Sequence, residues 1–525
     1  MRLARAAVLL IALALLIPYA AYLTDDSFIH FQFAKHLLRG EGFAFNAGEP
    51  TYGATSPLWV LLLAAAGLFV PGAAATPDST SVMPLLGWIS KAWGALFTAL
   101  AVIWCGRVAR RLGWDARAGL ILAALAAFHA WSTRWAVSGM ETPLAFFLVL
   151  VSLEALAAAL LDGRSAWPAG AALAGAALAR PEALLLAAMA GAALALAKGE
   201  AGDSRAPRAR RVGSFSAGFA IPYGAWLVTA WFLFHRLLPN TSGAKAGAWL
   251  DLERAIAALR DSIRIVLAAE LIPIAVAVVV LALGGGERLG RLASGRRAFW
   301  LLVALWPLAL VAFLALSGVQ VVSRYLIVAT PCVLLLGVAS LRHLTGSSVS
   351  RARAAGVAAI LFVTLHAAEG LYVTFRVSAP SAREHTRGLL ASLGGIGLWA
   401  RENTPPRTLF AVADIGAFGY YSDRPVLDLY GLVTPPMGPI SVREGYDRVV
   451  LDLRFEGIAR PDYLVDRART EARLTATPEP DNPYRFLFAR AISNLGITRP
   501  GEWVYSVYAI DWATWDRLHP KLAER

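Results

Sequence analysis

The feature that most constrains this chain is the recurrence of long apolar segments through residues 1–375. A helix needs about 20 consecutive apolar residues to cross the hydrocarbon layer of a membrane, and several segments come close to that length. They are residues 6–23, 83–105, 117–133, 142–161, 166–180, 183–198, 213–234, 263–283, 298–317, 323–341 and 354–375. Because hydrophobic residues make up 57% of all 525 residues, the sequence predicts an α-helical polytopic membrane protein with about 11 transmembrane helices.

The basic residues indicate how these helices are oriented. A net charge of +13 is compatible with nucleic-acid binding, but the Lys and Arg residues are spread over short loops instead of forming one patch, so no nucleic-acid partner is expected. If the amino terminus is cytoplasmic, clusters such as "RVARRLGWDAR" and "KGEAGDSRAPRARR" all fall on the cytoplasmic side, as positively charged loops do. This orientation places residues 376–525 outside the cytoplasm.

The sequence divides into two predicted domains. Residues 1–375 form a transmembrane domain with a first outer loop at about residues 24–82, and residues 376–525 form a soluble extracytoplasmic domain. The second domain is expected to be α/β, because strand-like runs such as "TLFAV", "PVLDLYG" and "WVYSVYAI" lie between turn residues. Within the outer loop, residues 57–70 are apolar but too short to span, so we expect a helix lying on the outer membrane surface.

Two acidic residues, Asp25 and Asp26, directly follow the first apolar segment. An ionisable residue in such a place is costly unless it is paired, solvated or functional. The sequence predicts an amphipathic surface helix that is capped by Thr24 and ends near Gly40, with both acids in its first turn. There the helix dipole would favour the ionised carboxylate, which is the form that a proton acceptor requires. The alternative is that one of the two acids only caps the helix.

Further polar residues lie where predicted spans meet the same face of the membrane. Cationic side chains in this position suit the phosphate of a lipid head group, and a nearby carboxylate suits a general base. Structural alternatives stay open, because Arg180 could form an ion pair with Glu182 and the loop around Tyr52 could be a connector instead of a saccharide pocket. The candidate residues are Tyr52, Glu141, Arg180, Asn240, Lys245 and Arg324.

Several motifs carry a resemblance to a known family. They are "DDSFIHFQFAKHLLRGEGFAFNAGEPTYGATSPLWVLLLA", "SGMETPL", "ARPEALLL", "PNTSGAK" and "VADIGAFGYYSDRPVLDLYGLV". Together they resemble the GT-C superfamily of membrane glycosyltransferases, and within it the bacterial branch that contains the mycobacterial terminal β-(1→2)-arabinofuranosyltransferase. The resemblance implies a polyprenyl-phosphate sugar donor, inversion at the anomeric carbon and a location in the cytoplasmic (inner) membrane of a bacterium.

The resemblance also implies roles for individual residues. In this superfamily an acidic residue of the first outer loop is the catalytic base, which places that role on Asp25 or Asp26. Acceptor binding is assigned to Asp414 and Asp428 in the tail. A divalent metal remains possible because some members use one, but the sequence offers no ligand cluster at a recognisable spacing and no metal-binding residue is predicted. The residues assigned to the donor phosphate and sugar are Lys245, Arg324, Arg180, Glu141, Asn240 and Tyr52.

The residues, together with the resemblance, imply an inverting hexosyl- or pentosyltransferase that acts at the outer face of the membrane. Its expected partners are the lipid bilayer, a polyprenyl-phosphate-linked sugar donor and a cell-envelope glycan or lipid acceptor. One alternative is a transporter or flippase of a lipid-linked sugar, and another is a membrane-anchored glycan-binding protein. A transport path needs ionisable residues deep inside several spans, where Glu154 and Glu270 are the candidates.

Overall fold

Helices dominate the architecture of the chain. The computed structural model describes residues 1–197, 205–240, 251–285, 294–345, 352–475, 481–497 and 499–520. Its first helices are α1 (Arg2–Ala14), α2 (Asp25–Leu38), α3 (Pro57–Gly67), α4 (Leu85–Arg111), α5 (Ala116–Phe128), α6 (Ala130–Ala136), α7 (Thr142–Leu161), α8 (Trp167–Ala179), α9 (Ala183–Leu196) and α10 (Arg205–Phe234). The next are α11 (Leu252–Val280), α12 (Ser294–Leu316), α13 (Ser323–Leu326), α14 (Thr330–Thr345), α15 (Ala352–Tyr372), α16 (Ala379–Leu389) and α17 (Gly395–Asn403).

The C-terminal part of the chain mixes strands with short helices. Its strands are β1 (Phe410–Val412), β2 (Val426–Asp428), β3 (Tyr463–Ala468), β4 (Tyr484–Ile492) and β5 (Trp503–Ile510). Its helices are α18 (Ile415–Ser422), α19 (Met437–Glu444), α20 (Tyr446–Leu451) and α21 (Trp512–Leu518).

Seven helices in the described part of the chain are long and apolar enough to cross a membrane. They are Arg2–Tyr19, Leu85–Arg111, Thr142–Leu161, Arg208–Phe234, Leu252–Leu283, Ser294–Leu316 and Ala354–Asn403. The other predicted spans correspond to shorter apolar helices, Ala116–Phe128, Trp167–Ala179, Ala183–Leu196 and Thr330–Leu344. Every predicted span lies on a helix, and the predicted fold class, a polytopic α-helical membrane protein with a C-terminal α/β domain, is confirmed.

The break between α8 and α9 follows from the local sequence. Arg180 precedes Pro181, and a residue before proline is pushed out of the helical region by the proline ring. Arg180 accordingly has φ −145° and ψ 116°, an extended conformation, and it ends α8. The two short apolar helices that the sequence predicts on either side of this dipeptide are therefore confirmed.

The last membrane helix continues well beyond the predicted end of the span at residue 375. The helical segment Ala354–Asn403 runs for 50 residues, with two short π-helical stretches inside it. The apolar run marks where a helix leaves the hydrocarbon layer, but the polar residues that follow, "SAREHTRGLL", still favour a helix. The end of an apolar run was therefore a poor guide to the end of this helix.

The chain forms two compact units. The helical unit contains Met1–Ala20, Lys91–Thr229 and Ala248–Ala379. The mixed unit contains Ala21–Ser90, Ala230–Gly247 and Pro380–Arg525. The first outer loop and the C-terminal segment thus belong to one unit although they are far apart in sequence. The predicted domain boundary at residue 375 is defined by the membrane surface, and it stays a prediction.

A five-stranded sheet organises the mixed unit, with the strand order β2-β1-β3-β5-β4. β1 is parallel to both β2 and β3, whereas β5 is antiparallel to β3 and β4. The carboxyl ends of β1, β2 and β3 therefore meet at one edge of the sheet. The runs predicted as strands are β1, β2 and β5. β3 and β4 were not predicted, because charged residues such as Arg467 and Arg485 interrupt their apolar pattern.

Helix α2 is buried along most of its length. Every residue from Ser27 to His36 is buried, and the helix packs against α3 and α18 within the mixed unit. The Lys35 ammonium is satisfied inside the protein, since Nζ donates to Asp423 Oδ1 at 2.7 Å and to the Tyr420 carbonyl at 2.9 Å. The prediction of an amphipathic surface helix was therefore wrong for α2, although the predicted helix itself is present.

Candidate active site

The amino terminus of α2 is capped by Thr24, as predicted. Thr24 Oγ1 accepts a hydrogen bond from the Ser27 amide at 3.3 Å, and the Ser27 hydroxyl accepts one from the Thr24 amide at 3.2 Å. This reciprocal capping box satisfies the first turn of α2 without either acid. Asp25 and Asp26 are both partly buried, and their carboxylates are not needed to cap their own helix.

The Asp25 carboxylate instead caps a different helix, α18. Its Oδ2 accepts a hydrogen bond from the Gly416 amide at 3.0 Å, and its Oδ1 accepts one from the Ala417 amide at 2.8 Å. A Cβ atom on Gly416 would lie 1.9 Å from the Asp25 carbonyl oxygen, so the close approach of the two chain segments requires glycine at this position. Each carboxylate oxygen keeps a second lone pair for another donor.

The environment of Asp25 raises the pKa of its carboxyl group to about 7. Burial is the main cause, the negative charges of Asp414 and Asp26 add to it, and the two amide hydrogen bonds act in the opposite direction. Burial and the neighbouring carboxylates therefore oppose the expected stabilisation of the ionised form by the helix dipole. The group titrates near neutral pH, where a general base is most effective.

Asp414, which precedes α18, is held by two side chains. Arg467 Nη1 donates to both carboxylate oxygens of Asp414 at 2.8 and 2.7 Å, and the Tyr505 hydroxyl donates to Oδ2 at 2.7 Å. Arg467 Nη2 also donates to the Tyr430 hydroxyl at 2.8 Å. The structure thus brings two of the predicted site residues, Asp25 and Asp414, into electrostatic contact in the mixed unit.

Asp428 is at the carboxyl end of β2 and is almost completely buried. Its carboxylate accepts hydrogen bonds from the amides of Tyr430 and Val433, both at 2.9 Å. Burial raises the pKa of this carboxyl group to about 6, against the lowering effect of these amides. These bonds shape the turn after β2. Of the two residues assigned to acceptor binding, Asp414 has the more exposed side chain.

Tyr52 and Asn240, two further predicted site residues, are neighbours in the mixed unit. The Asn240 amide donates to the Tyr52 carbonyl at 3.0 Å, and Asn240 Nδ2 donates to the Leu432 carbonyl at 2.9 Å. The Tyr52 ring stacks on Phe234 with a centroid distance of 5.1 Å. Both side chains are buried, and their visible contacts hold the outer loop to the turn after β2.

The other predicted site residues form a cluster in the helical unit. Arg180 Nη1 lies 2.6 Å from Glu141 Oε1, and Arg180 Nη2 lies 3.1 Å from Glu182 Oε1. The ion pair between Arg180 and Glu182, considered above as a structural alternative, is therefore present, and Glu141 adds a second carboxylate. The Arg180 and Arg324 guanidinium groups lie 5.2 and 5.4 Å from the centroid of the Tyr325 ring.

Two further predictions concern ligand-binding residues. Lys245 lies outside the described residues. Across the described residues, no group of three or more His, Cys, Asp or Glu side chains has an arrangement that could hold a metal ion.

The sequence missed Arg467, Tyr505 and Tyr430 as members of the site. The first two lie in β3 and β5, and local sequence gives no sign that these strands flank β1. Tyr430 stands in the motif "VLDLYGLV" and could have been found there, because aromatic side chains commonly line ligand sites.

Comparison with known proteins identifies the fold. ArnT from Cupriavidus metallidurans, solved with undecaprenyl phosphate bound, is 12% identical with a TM-score of 0.59, and the match covers 96% of this chain and 97% of ArnT. The oligosaccharyltransferase of Archaeoglobus fulgidus, tethered to an acceptor peptide, is 14% identical with a TM-score of 0.51 over 88% of this chain and 69% of that one.

A third similar structure is the arabinofuranosyltransferase AftD from Mycobacteria. It is 16% identical with a TM-score of 0.51, and the match covers 97% of this chain but 40% of AftD. Residues 380–514 match a family model described as a domain of unknown function, DUF8728. No curated protein matches the sequence. The similar structures are GT-C glycosyltransferases whose matches cover 88–97% of this chain with few identical residues, and the chain therefore has the GT-C fold.

Proposed function

We propose that this protein is an inverting glycosyltransferase that moves a sugar from a polyprenyl-phosphate donor to a glycan or lipid acceptor of the cell envelope. The observation that carries the proposal is the Asp25 carboxyl group. It lies in the first outer loop, it is positioned by two amides of α18, and its pKa is raised to about 7. The shared fold with a protein bound to undecaprenyl phosphate supports the choice of donor.

In the proposed reaction, Asp25 takes the proton of the acceptor hydroxyl group. The acceptor oxygen forms a bond with the anomeric carbon while the bond between that carbon and the phosphate oxygen breaks. The electron pair leaves with the polyprenyl phosphate, and attack from the opposite face inverts the anomeric centre. Asp26 is proposed to orient Asp25 or the donor. Lys245 and Arg324 are proposed to stabilise the negative charge of the departing phosphate.

We place this reaction at the outer face of the cytoplasmic membrane of a bacterium. The support is the distribution of Lys and Arg over the loops predicted to be cytoplasmic. Of the two deep carboxylates considered for a transport path, Glu154 lies 2.9 Å from Arg111 and Glu270 accepts a hydrogen bond from Thr330 at 2.6 Å. Such pairing is what a carboxylate inside a membrane protein requires for stability alone.

The first test is a transfer assay with a panel of radiolabelled polyprenyl-phosphate pentoses and hexoses and isolated cell-envelope acceptors. We expect Asp25→Asn to lower the transfer rate at least about 100-fold, because it removes the proton acceptor. Asp78→Asn is the matched control, since Asp78 belongs to the same loop but is 99% exposed. An unchanged transfer rate in both Asp25→Asn and Asp26→Asn would contradict the proposed mechanism.

Mass spectrometry of co-purifying lipids tests the donor separately from the chemistry. Asp25→Asn should retain a polyprenyl-phosphate sugar because the donor binds but does not react. Lys245→Ala should lose it because a phosphate contact is removed. The mass of a retained lipid of this class would also identify the sugar that the donor carries. Recovery of ordinary phospholipids alone from both variants would contradict the proposed donor.

A further inference from the structure

The edge of the sheet beside Asp25 has the topology of a ligand site. β1 runs between β2 and β3, and all three strands are parallel. The connection from β1 leads to β2 on one side, and the chain then returns to β3 on the other side, so the crevice at the carboxyl ends of these strands is a topological switch point. Ligands of open α/β sheets bind at such points. Asp414 follows β1 here, and Arg467 is near the end of β3.

Aromatic rings surround Arg467 at this edge. The centroids of the Tyr430, Tyr446 and Trp503 rings lie 5.8, 5.8 and 5.7 Å from the Arg467 guanidinium carbon. The Tyr430 and Tyr446 rings are stacked with an interplanar angle of 24°. Tyr430 is 38% exposed. An exposed flat ring of this kind offers an apolar face to the C–H groups of a sugar while its hydroxyl group stays polar.

Two hydrogen-bond donors in this group have no partner among the described residues. They are Arg467 Nε and Trp503 Nε1, and both atoms are buried. The Arg467 side chain as a whole is only 10% exposed. Leaving a buried donor unpaired is costly, so unpaired donors in a folded protein indicate a missing water molecule or ligand. Both donors are therefore available to a water molecule or to a ligand.

The charge of the cluster indicates what kind of ligand it takes. Asp414 neutralises Arg467 through two hydrogen bonds from the same nitrogen, so this pair offers donors and acceptors without a strong net charge. A second cation lies beside it: the Arg469 guanidinium carbon is 3.8 Å from the centroid of the Trp503 ring, and Arg469 Nη1 donates to the Glu502 carbonyl. The Asp414 side chain is 23% exposed. Aromatic faces combined with a carboxylate and N–H donors suit an uncharged, hydroxyl-rich ligand better than a phosphate.

We propose that Tyr430, Trp503, Arg467 and Asp414 form a binding subsite for one sugar ring of an uncharged oligosaccharide. The inference rests on the proposed function and makes the acceptor a neutral glycan, with its reactive hydroxyl group supplied to Asp25 from the sheet edge. It gives a role to the segment that matches the domain of unknown function, since all four residues lie within residues 380–514.

The subsite is tested by binding, without donor and without turnover. Full-length protein in detergent is applied to a glycan array that carries uncharged arabinan, mannan, galactan and glucan fragments together with anionic glycans. We expect binding to at least one uncharged glycan. Tyr430→Ala should weaken this binding about tenfold because a stacking face is lost, while Tyr430→Phe, which keeps the ring, should weaken it less. Tyr372→Ala is the control, because Tyr372 is an exposed tyrosine of the helical unit.

Three outcomes would overturn the inference: binding to anionic glycans alone, no binding to any glycan, or equal binding by Tyr430→Ala and the unchanged protein. The result is separable from the proposed function. Saccharide binding without any transfer would contradict the transferase and leave the subsite intact. Transfer with an unchanged acceptor KM in Tyr430→Ala would contradict the subsite and leave the transferase intact.

Discussion

Opposing effects act on the same carboxyl group at Asp25. Two backbone amides stabilise its ionised form, and burial together with Asp414 and Asp26 destabilises that form. The result is a carboxyl group with a pKa of about 7. A carboxylate with an ordinary pKa near 4 would be a much weaker base, so the unfavourable surroundings are what make this group suitable for removing a proton.

The pH dependence of transfer should report the raised pKa of Asp25. Because the base acts in its ionised form, kcat/KM should rise with pH through about 7. Asp414→Asn removes a neighbouring negative charge, so ionisation of Asp25 becomes easier and the midpoint should move down by about one pH unit. The measurement is a rate profile from pH 5 to about pH 9.

Asp78→Asn serves as the control for this profile, since the exposed Asp78 side chain pairs with Arg401 and its loss should leave the midpoint in place. A midpoint that is the same in Asp414→Asn and the unchanged protein would show that Asp414 does not influence the base.

Single residues also show where sequence reasoning reaches its limit. Thr24 was correctly predicted as a cap, and Asp25 was selected as a candidate base, because both inferences depend on immediate neighbours, namely the start of a helix and an adjacent apolar segment. The raised pKa of Asp25 depends on burial and on Asp414, which is separated from it by almost 400 residues. Burial of that kind has no local signal, so the raised pKa of Asp25 was not predicted from the sequence.

Helices α2 and α3 show how far sequence reasoning predicts secondary-structure elements. The position of each helix was predicted, because caps and apolar periodicity are local. The burial of α2 was not predicted, because the helix packs against α18, which comes from the other end of the chain. In α3 and in the two residues that follow it, the apolar side chains of Leu61, Leu68 and Phe69 are exposed, and a lipid surface is the environment that such side chains prefer.

The depth of α3 in the membrane can be measured by fluorescence quenching. A bimane probe on Leu61→Cys should be quenched more by lipids with a shallow nitroxide than by lipids with a deep one, since we predict that α3 lies on the surface. Leu305→Cys, in the middle of α12, should show the opposite order. Labelling is selective because the native Cys105 and Cys332 are both buried. Stronger deep quenching at both positions would mean that α3 enters the hydrocarbon layer.

For the whole molecule, the sequence predicted the class of fold because membrane insertion depends on length and composition alone. It did not predict the grouping of the chain into two units, with the first outer loop and the C-terminal segment in one of them. That grouping arises from contacts such as the hydrogen bonds of Lys35 to the segment around Asp423. Contacts between residues so far apart in the chain cannot be seen in local sequence patterns.

The orientation of the molecule can be tested by labelling from one side. Arg407→Cys, at an exposed position of the mixed unit, should react with a membrane-impermeant maleimide in intact spheroplasts. Arg164→Cys, in the basic loop "LDGRS", should react only after permeabilisation, because basic loops stay in the cytoplasm. The reverse pattern would invert the proposed topology and place the acids of the first outer loop inside the cell.

The hydrogen bonds from Gly416 and Ala417 to Asp25 also have a consequence for biosynthesis. The partners are 391 and 392 residues apart, and a ribosome adds roughly 5–20 residues per second. Asp25 is therefore made roughly 20 to 80 s before the amides that hold it. During that interval the amino-terminal helices are in the bilayer while the Asp25 carboxyl group, the proposed base, has no ordered partner there. A nascent or prematurely terminated chain should thus be inserted but inactive, and activity should appear only with the last quarter of the protein.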